Sequence, residues 1–174
     1  AVLRNKIERY FYASSAHVYP RELQKAPNSP RIQEKEILPA DPHLSYGWAK
    51  LFSEKQIEYA CVENPKLKVA IARYIGIYGE NQDFNLETGS AIPVFCNRAI
   101  NHGKLPFSVW GTGKETRSYC FIDDAVECTK MMIKALEDRM IVGPYNVGAR
   151  DRFTIGEIAE KVIKISNKPI RIEY

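Results

Sequence analysis

A tyrosine and a lysine four residues apart, Tyr46 and Lys50, are the pair in this sequence that could carry out proton chemistry. If this segment is helical, the two side chains share one face and lie about one turn apart. The ammonium then favours the phenolate form of the tyrosine, whose pKa is ordinarily ~10. Bringing that pKa to about 7 requires ~3 units, or roughly 4 kcal/mol, which one exposed lysine does not supply. The pair therefore needs a nearby hydroxyl and a positively charged cofactor as well.

Two serines, Ser14 and Ser15, are the hydroxyl groups that the sequence offers to this pair. They end a short run of aromatic and small residues that begins at Tyr10, which is typical of a buried strand. Open parallel sheets bind ligands beyond the carboxyl ends of their strands. We therefore expect the two serines to reach the same site as Tyr46 and Lys50.

The elements that must position these residues alternate between strands and helices. A proline-rich loop is predicted from Pro20 to Leu44, and a helix with Tyr46 and Lys50 in its first turns is predicted from Ser45 to Glu63. The other predicted elements are a strand over Lys68–Tyr74, a helix over Ser90–Asn101, strands over Phe107–Trp110 and Thr116–Phe121, a helix over Asp124–Leu136 capped by Asp123, a strand and turn over Pro144–Gly148, and a helix that begins with a capping box at Thr154 and Glu157 and ends at Ser166.

Composition and charge narrow the classes of function. The chain has 174 residues, of which 45% are apolar, and this suffices for one domain of ordinary size. A net charge of +4 without a basic block suits an anionic ligand such as a nucleotide diphosphate better than a nucleic acid. Four cysteines without a C-x-x-C pair argue against a metal site and favour a reducing cytoplasm. No stretch is apolar enough to predict a membrane span.

Five stretches of the sequence carry a resemblance to a known family. They are Tyr12-Ala13-Ser14-Ser15-Ala16-His17-Val18-Tyr19, Tyr46-Gly47-Trp48-Ala49-Lys50, Arg73-Tyr74-Ile75-Gly76-Ile77-Tyr78-Gly79, Trp110 to Ser118, and Phe121-Ile122-Asp123. Together they resemble the active-site signature of the extended short-chain dehydrogenases/reductases, the NAD(P)-dependent nucleotide-sugar epimerases and dehydratases. The similarity covers most of the chain.

The resemblance implies an α/β fold, namely the C-terminal half of a Rossmann-like parallel sheet plus a small α/β substrate-binding subdomain. Residues 1–80 would form the Rossmann portion with the site, and residues 81–174 the subdomain, with part of 116–147 returning to the Rossmann portion. The family's dinucleotide site opens with a strand, a glycine-rich turn and a helix. No such turn precedes the serine strand, and Gly111-x-Gly113 lies between two predicted strands. We therefore expect a fragment that lacks the dinucleotide-binding half and is incomplete at its C-terminus.

The same resemblance assigns roles to individual residues. The implied catalytic residues are Tyr46, Lys50, Ser15 and His17. NAD, with NADP as the alternative, would be held by Ser14, Tyr46, Lys50, Tyr74 and Ile75. The nucleotide sugar would contact Ser15, Gly76, Trp110 and Arg117, and no metal is implied. Gly76 stands where relatives usually carry an asparagine, and Arg117 has the alternative of a surface arginine paired with a carboxylate.

His17 differs from the residues that relatives in the family carry at the corresponding position. It follows Ser15 by two residues, where relatives carry a cysteine, an acid or a small hydroxyl residue according to the reaction. An imidazole with a pKa of ~6.5 can exchange protons at a carbon beside a transient ketone, which suits epimerisation or dehydration. The alternative is a neutral histidine that is hydrogen-bonded in the wall of the pocket, and the sequence leaves both open.

The implied function is a portion of an NAD-dependent nucleotide-sugar epimerase, which oxidises a sugar to a keto form, exchanges a proton and reduces it again. A GDP-sugar is expected, because Tyr19-Pro20 and the run Trp110 to Ser118 are shared with members that epimerise a GDP-sugar. The alternatives are a 4,6-dehydratase, or a truncated and inactive chain that binds a nucleotide sugar or associates with itself. The family also implies a homo-oligomer, whose contact is the helix from Ser45 to Glu63 or the exposed edge of the sheet. The alternative is that Trp48 and Phe52 of that helix are internal core.

Overall fold

The computed structural model describes residues 7–25 and 31–174. In chain order the elements are β1 (Arg9–Ser15), α1 (Arg21–Lys25), α2 (Leu44–Glu63), β2 (Lys68–Tyr74), β3 (Ile77–Tyr78), α3 (Ala91–Ile100), β4 (Thr116–Arg117), β5 (Cys120–Phe121), α4 (Ile122–Ala135), β6 (Ile141–Val147), β7 (Phe153–Thr154) and α5 (Ile155–Ser166). A 3-10 turn, Ala16–Val18, follows β1 directly. None of the helices in these ranges has the length and apolar composition needed to cross a membrane.

Three parallel strands form the central sheet in the order β1-β2-β6. The middle strand, β2, has buried side chains on both faces, as expected for a parallel strand covered on both sides. Val69 and Ile71 pack in one apolar cluster with residues of α2, whereas Ala70 and Ala72 pack in another with residues of α4. The sheet therefore lies between these two helices, which confirms the α/β fold with a parallel sheet.

A second apolar core lies outside the sheet. Helices α3 and α5 contribute Phe95, Ala99, Ile158 and Ala159 to it, and the segment before β4 contributes Phe107. Two small sheets accompany this core, with β4 antiparallel to β7 and β3 parallel to β5. The boundary predicted at residue 80 stays a prediction.

Most of the locally encoded elements lie where the sequence predicts them. Helix α5 begins with the predicted capping box, because the Thr154 hydroxyl accepts the Glu157 N–H (3.0 Å) and the Glu157 carboxylate accepts the Thr154 N–H (2.7 Å). The cap predicted at Asp123 is wrong: α4 begins at Ile122, and Asp123 lies in its first turn, where a carboxylate favours the helix dipole.

Three other predicted elements differ from the structure. The single strand predicted over Thr116–Phe121 is two short strands, β4 and β5, which belong to different sheets. The strand predicted over Phe107–Trp110 is reduced to an isolated bridge between Ser108 and Glu173. The loop predicted from Pro20 to Leu44 contains the short helix α1, and its residues 26–30 lie outside the described residues.

A buried ion pair joins α2 to β2. Arg73 donates two hydrogen bonds to the carboxylate of Glu54, at 3.0 Å and 2.6 Å, and each residue is 1% exposed. Arg73 also donates to the hydroxyl of Tyr19 (3.0 Å) and to the backbone oxygen of Glu34 (2.7 Å). Such a bidentate pair with its remaining donors satisfied is the arrangement in which buried charges are tolerated.

Asn146, at the end of β6, extends this network to the segment that precedes α2. Its amide oxygen accepts the Tyr19 hydroxyl (2.7 Å), and its amide nitrogen donates to the backbone oxygen of Ile32 (2.9 Å). Its backbone N–H donates to the carboxylate of Glu34 (3.0 Å). Burial raises the pKa of Tyr19, so its hydroxyl stays a donor at neutral pH. The segment 32–34 is therefore held against the carboxyl ends of β2 and β6.

Candidate active site

The first turn of α2 packs directly against the 3-10 turn that follows β1. The backbone N–H of His43 donates to the backbone oxygen of His17 (3.3 Å), and Gly47 is buried against the same carbonyl group. A β-carbon at Gly47 would collide with the His17 carbonyl oxygen and would lie 3.0 Å from the β-carbon of Pro42. The absence of a side chain at this position is what brings Tyr46 close to the end of β1.

Tyr46 and Lys50 share one face of α2, as the four-residue spacing predicts. The Lys50 ammonium lies 5.6 Å from the ring centre of Tyr46 and 5.1 Å from that of Tyr12 in β1. It donates one hydrogen bond to the backbone oxygen of Ala13 (2.7 Å), so two of its three N–H groups remain for a ligand. The Tyr46 ring is 51% exposed, which leaves its hydroxyl accessible to a substrate.

His17 lies between Ser15 and Tyr46. Its ring meets the Tyr46 ring edge-on, with ring centres 5.4 Å apart, and its Nδ1 lies 3.0 Å from the Ser15 hydroxyl oxygen. Ser15 and Tyr74 are partners in the β1–β2 register, so Ser15 lies beside the carboxyl end of β2. The structure thus brings Ser15, His17, Tyr46 and Lys50 together at one edge of the sheet.

A second histidine, His43, completes this side of the site and was not singled out by the sequence. Its ring centre lies 6.0 Å from that of His17. Partial burial lowers the pKa of His17, and the positive charge of His43 lowers it further. Neutral His17 is therefore the dominant form at neutral pH.

The variant His43→Asn is expected to raise the pKa of His17, because a nearby like charge is removed while partial burial stays. Titration of the His17 ring protons by nuclear magnetic resonance measures this shift. His102→Asn is the matched control, since His102 lies after α3 and interacts with neither residue. An unchanged His17 pKa in His43→Asn would show that the two rings do not interact.

The side chain of Ser14 points away from this group. Ser14 is 3% exposed and donates its hydroxyl proton to Glu54, so it belongs to the buried network. Tyr74 shares a hydrogen bond with the Thr129 hydroxyl, and the Ile75 N–H donates to the backbone oxygen of Val147 (2.9 Å). The cofactor contacts predicted for Ser14, Tyr74 and Ile75 stay predictions.

Gly76 has a structural reason to be a glycine. Its φ is +57°, in the left-handed region, and a β-carbon there would collide with the backbone oxygen of Ser118. The collision excludes an asparagine in this conformation, so any substrate contact at Gly76 is through its backbone.

The other predicted substrate residues lie at the second core. Trp110 is 70% exposed and lines a cavity of about 190 Å³ beside α3. Arg117 is exposed and donates to the backbone oxygen of Thr116 (2.9 Å). Both side chains are open to solvent, so both are available to a ligand.

Arg98 is a further residue of this cavity that the sequence analysis did not single out. It is 8% exposed, lines the cavity with Trp110 and donates to the backbone oxygen of Ser108. No carboxylate among the described residues lies within ion-pair distance of it. The sequence could have indicated Arg98, because an arginine stands there at a position of α3 that is buried with apolar residues. Among residues 7–25 and 31–174, no cluster of acidic, histidine or cysteine side chains is arranged to hold a metal ion.

Several known proteins are similar to this chain in sequence, and others are similar to it in fold. The NAD dependent epimerase/dehydratase family matches residues 1–148. The GDP-mannose 3,5-epimerase of Arabidopsis thaliana is 31% identical over 170 residues, which are 98% of this chain and 44% of that protein. The dTDP-D-glucose 4,6-dehydratase of Dictyostelium discoideum is 32% identical over 167 residues, or 92% of this chain and 36% of that protein.

Among solved structures, the UDP-Glc/GlcNAc 4-epimerase of Campylobacter jejuni superposes with a TM-score of 0.78 at 24% identity. That match covers 99% of this chain and 53% of the other, and it shows a shared fold. The chain therefore spans about half or less of the length of these relatives. The family match and the similarity to the Arabidopsis protein show that this chain belongs to the NAD dependent epimerase/dehydratase family.

Proposed function

We propose that this chain is the catalytic and substrate-binding portion of an NAD-dependent epimerase that acts on a nucleotide sugar. The observation that carries this proposal is the convergence of Ser15, His17, Tyr46 and Lys50 at the carboxyl end of β1. A GDP-sugar is the substrate we favour, because a GDP-mannose 3,5-epimerase is similar over 98% of this chain.

In the proposed reaction, Tyr46 as phenolate removes a proton from a sugar hydroxyl. The Lys50 ammonium lies 5.6 Å from the ring centre of Tyr46, and the Ser15 hydroxyl forms a hydrogen bond with the same sugar oxygen. The ring centres of His17 and Tyr46 are 5.4 Å apart. A sugar bound at Tyr46 is therefore close enough to His17 to exchange a proton at the carbon next to the oxidised one. If His17 instead only lines the pocket, another base must perform that exchange.

Lys50 has hydrogen-bonding groups that could bind a dinucleotide. Its two remaining N–H groups suit the ribose hydroxyls. NAD, or NADP, supplies the hydride acceptor and donor of the redox step when it is bound. Tyr46, Lys50, Tyr74 and Ile75 would hold it, together with Ser14.

A 4,6-dehydratase is the second candidate reaction. The dTDP-D-glucose 4,6-dehydratase of Dictyostelium discoideum is similar over 92% of this chain. Removal of a sugar hydroxyl proton by Tyr46 is common to both reactions, and His17 would then remove the proton that starts the loss of water.

Calorimetric titration of the purified chain with GDP-mannose, and separately with NAD, tests the proposal. We expect GDP-mannose to bind and NAD to bind negligibly, because the sequence contains no glycine-rich turn between a strand and a helix. Trp110→Ala should weaken sugar-nucleotide binding, whereas Trp48→Ala, the matched control on α2, should not. Absence of GDP-mannose binding would contradict the proposed substrate, and micromolar NAD binding would contradict the expected weak binding of the dinucleotide.

Self-association through α2 is the proposed quaternary contact. Exposed apolar side chains recur along one face of this helix, and they are Leu44, Trp48, Phe52, Tyr59 and Val62. Trp48 and Phe52 are 45% and 67% exposed, so the interpretation of both as internal core is wrong. Lys55 interrupts this face, and the exposed apolar side chains around it are covered when a second α2 packs on them.

Phe52→Glu is expected to convert a dimer into a monomer, because it places a charge in the centre of that face. Sedimentation velocity measures the change in mass. Ile165→Glu, at a position of α5 that is 84% exposed, is the control and should leave the mass unchanged. A wild-type chain that is monomeric at all concentrations would contradict this contact.

A further inference from the structure

The Ser15 hydroxyl has few free hydrogen-bonding positions in this structure. A hydroxyl has one proton and two lone pairs. One lone pair accepts the backbone N–H of His17 (3.3 Å), and the imidazole Nδ1 of the same residue lies 3.0 Å from the hydroxyl oxygen. Ser15 is 7% exposed at the end of β1, so a single position is left for a ligand.

Whether Nδ1 carries a proton decides whether Ser15 offers the ligand a lone pair or a hydroxyl proton. When Nδ1 carries no proton, the Ser15 hydroxyl donates to it and presents a lone pair to the ligand. When Nδ1 is protonated, it donates to Ser15, and the hydroxyl proton turns toward the ligand. His17 follows Ser15 by only two residues. The two states therefore differ in the rotation of the Ser15 hydroxyl, and the fold stays the same.

We propose that His17 is a positioning residue that sets the direction of the Ser15 hydroxyl, as an acceptor when the imidazole is neutral and as a donor when it is protonated. The neutral form carries its proton on Nε2, and its Nδ1 accepts the Ser15 hydroxyl proton, so in this form a base other than His17 takes the proton from the sugar carbon. This inference rests on the proposed function only for the identity of the ligand. The donor form leaves the proton of a sugar hydroxyl to Tyr46 and also suits the oxygen of the keto sugar, whereas the acceptor form competes with Tyr46 for that proton.

The change needs no reactant other than one proton, which the imidazole exchanges with solvent. No covalent bond of Ser15 or of a sugar carbon forms or breaks in it. The titratable groups that face His17 are His43 at the start of α2, with ring centres 6.0 Å apart, and Tyr46, at 5.4 Å. Lys50 lies on the same helix beyond Tyr46. The burial of His17 and the charge of His43 both favour the neutral imidazole, so the acceptor form is expected in the free chain at neutral pH.

Long-range nitrogen–proton correlation spectra of the chain with nitrogen-15 histidine test this proposal. The chain has three histidines, so their signals are readily separated. At pH 8 we expect His17 to show a bare Nδ1 and a protonated Nε2, and on acidification both nitrogens become protonated. A neutral His17 with its proton on Nδ1 would overturn the proposal without any variant being needed.

Ser15→Ala removes the hydroxyl and is expected to lower the population of the His17 tautomer that carries its proton on Nε2. Ser53→Ala is the matched control, because the Ser53 hydroxyl donates to the backbone of its own helix and lies away from His17. The His102 signals serve as an internal reference in each spectrum. An unchanged His17 tautomer in Ser15→Ala would overturn the proposal.

These spectra need neither NAD nor a sugar nucleotide, so the two proposals fail separately. If the His17 tautomer is as expected but GDP-mannose does not bind, the hydroxyl direction stands and the proposed substrate falls. If GDP-mannose binds but Nδ1 carries the proton, the proposed function stands and this inference falls.

Discussion

Replacing Arg73 by methionine is expected to destabilise the chain by about 3–5 kcal/mol, because the Glu54 carboxylate is left buried without its partner. Both residues are 1% exposed, so water cannot replace the lost hydrogen bonds. Arg73 also satisfies the Tyr19 hydroxyl and the backbone oxygen of Glu34, and the substitution removes these bonds too. Urea unfolding followed by circular dichroism measures the loss.

The exposed ion pair of Arg21 and Asp41 provides the control for this prediction. Its side chains are 51% and 42% exposed, and solvent-exposed pairs contribute little to stability. Arg21→Gln should therefore leave the unfolding midpoint nearly unchanged. Combining Glu54→Leu with Arg73→Met should recover part of the loss, because no uncompensated charge then stays buried. Equal midpoints for Arg73→Met and Arg21→Gln would contradict the importance of the buried pair.

Gly47→Ala is expected to destabilise the chain by about 1–3 kcal/mol, the typical cost of adding atoms to a packed interior. Alanine is the better helix former by ~1 kcal/mol, so helix propensity alone predicts the opposite sign. The steric term prevails because the new β-carbon meets the backbone carbonyl of His17, which also accepts the His43 N–H. The helix and the 3-10 turn must move apart, and Tyr46 moves away from His17 with them.

Two measurements check this prediction. Urea unfolding gives the change in stability, and the His17 ring protons report the loss of the edge-on contact with Tyr46. Ala49→Gly, at an exposed position of the same helix, is the control. It should lower stability by ~1 kcal/mol through helix propensity and leave the His17 signals in place. A Gly47→Ala chain that is as stable as the wild type, with unshifted His17 signals, would show that the turn adapts without cost.

The family and the elements that carry the catalytic pair were predictable from the sequence. Helix α2 and strand β2 lie within one residue of their predicted bounds, because apolar patterns and short polar boundaries are local properties of the chain. The capping box at Thr154 is equally local. The short motif Tyr46-Gly47-Trp48-Ala49-Lys50 and the serine strand were enough to identify the family, which the comparisons confirm.

Contacts between distant segments were decided by the tertiary structure alone. Glu34 and Asn146 are 112 residues apart, and Glu54 and Arg73 are 19 apart, and no pattern in the sequence pairs them. His43 reaches the site because α2 folds back onto the turn after β1. The sequence by itself determined which elements form and which family they belong to, since these depend on neighbouring residues. Which polar groups meet depends on how those elements pack, and packing is a property of the whole chain.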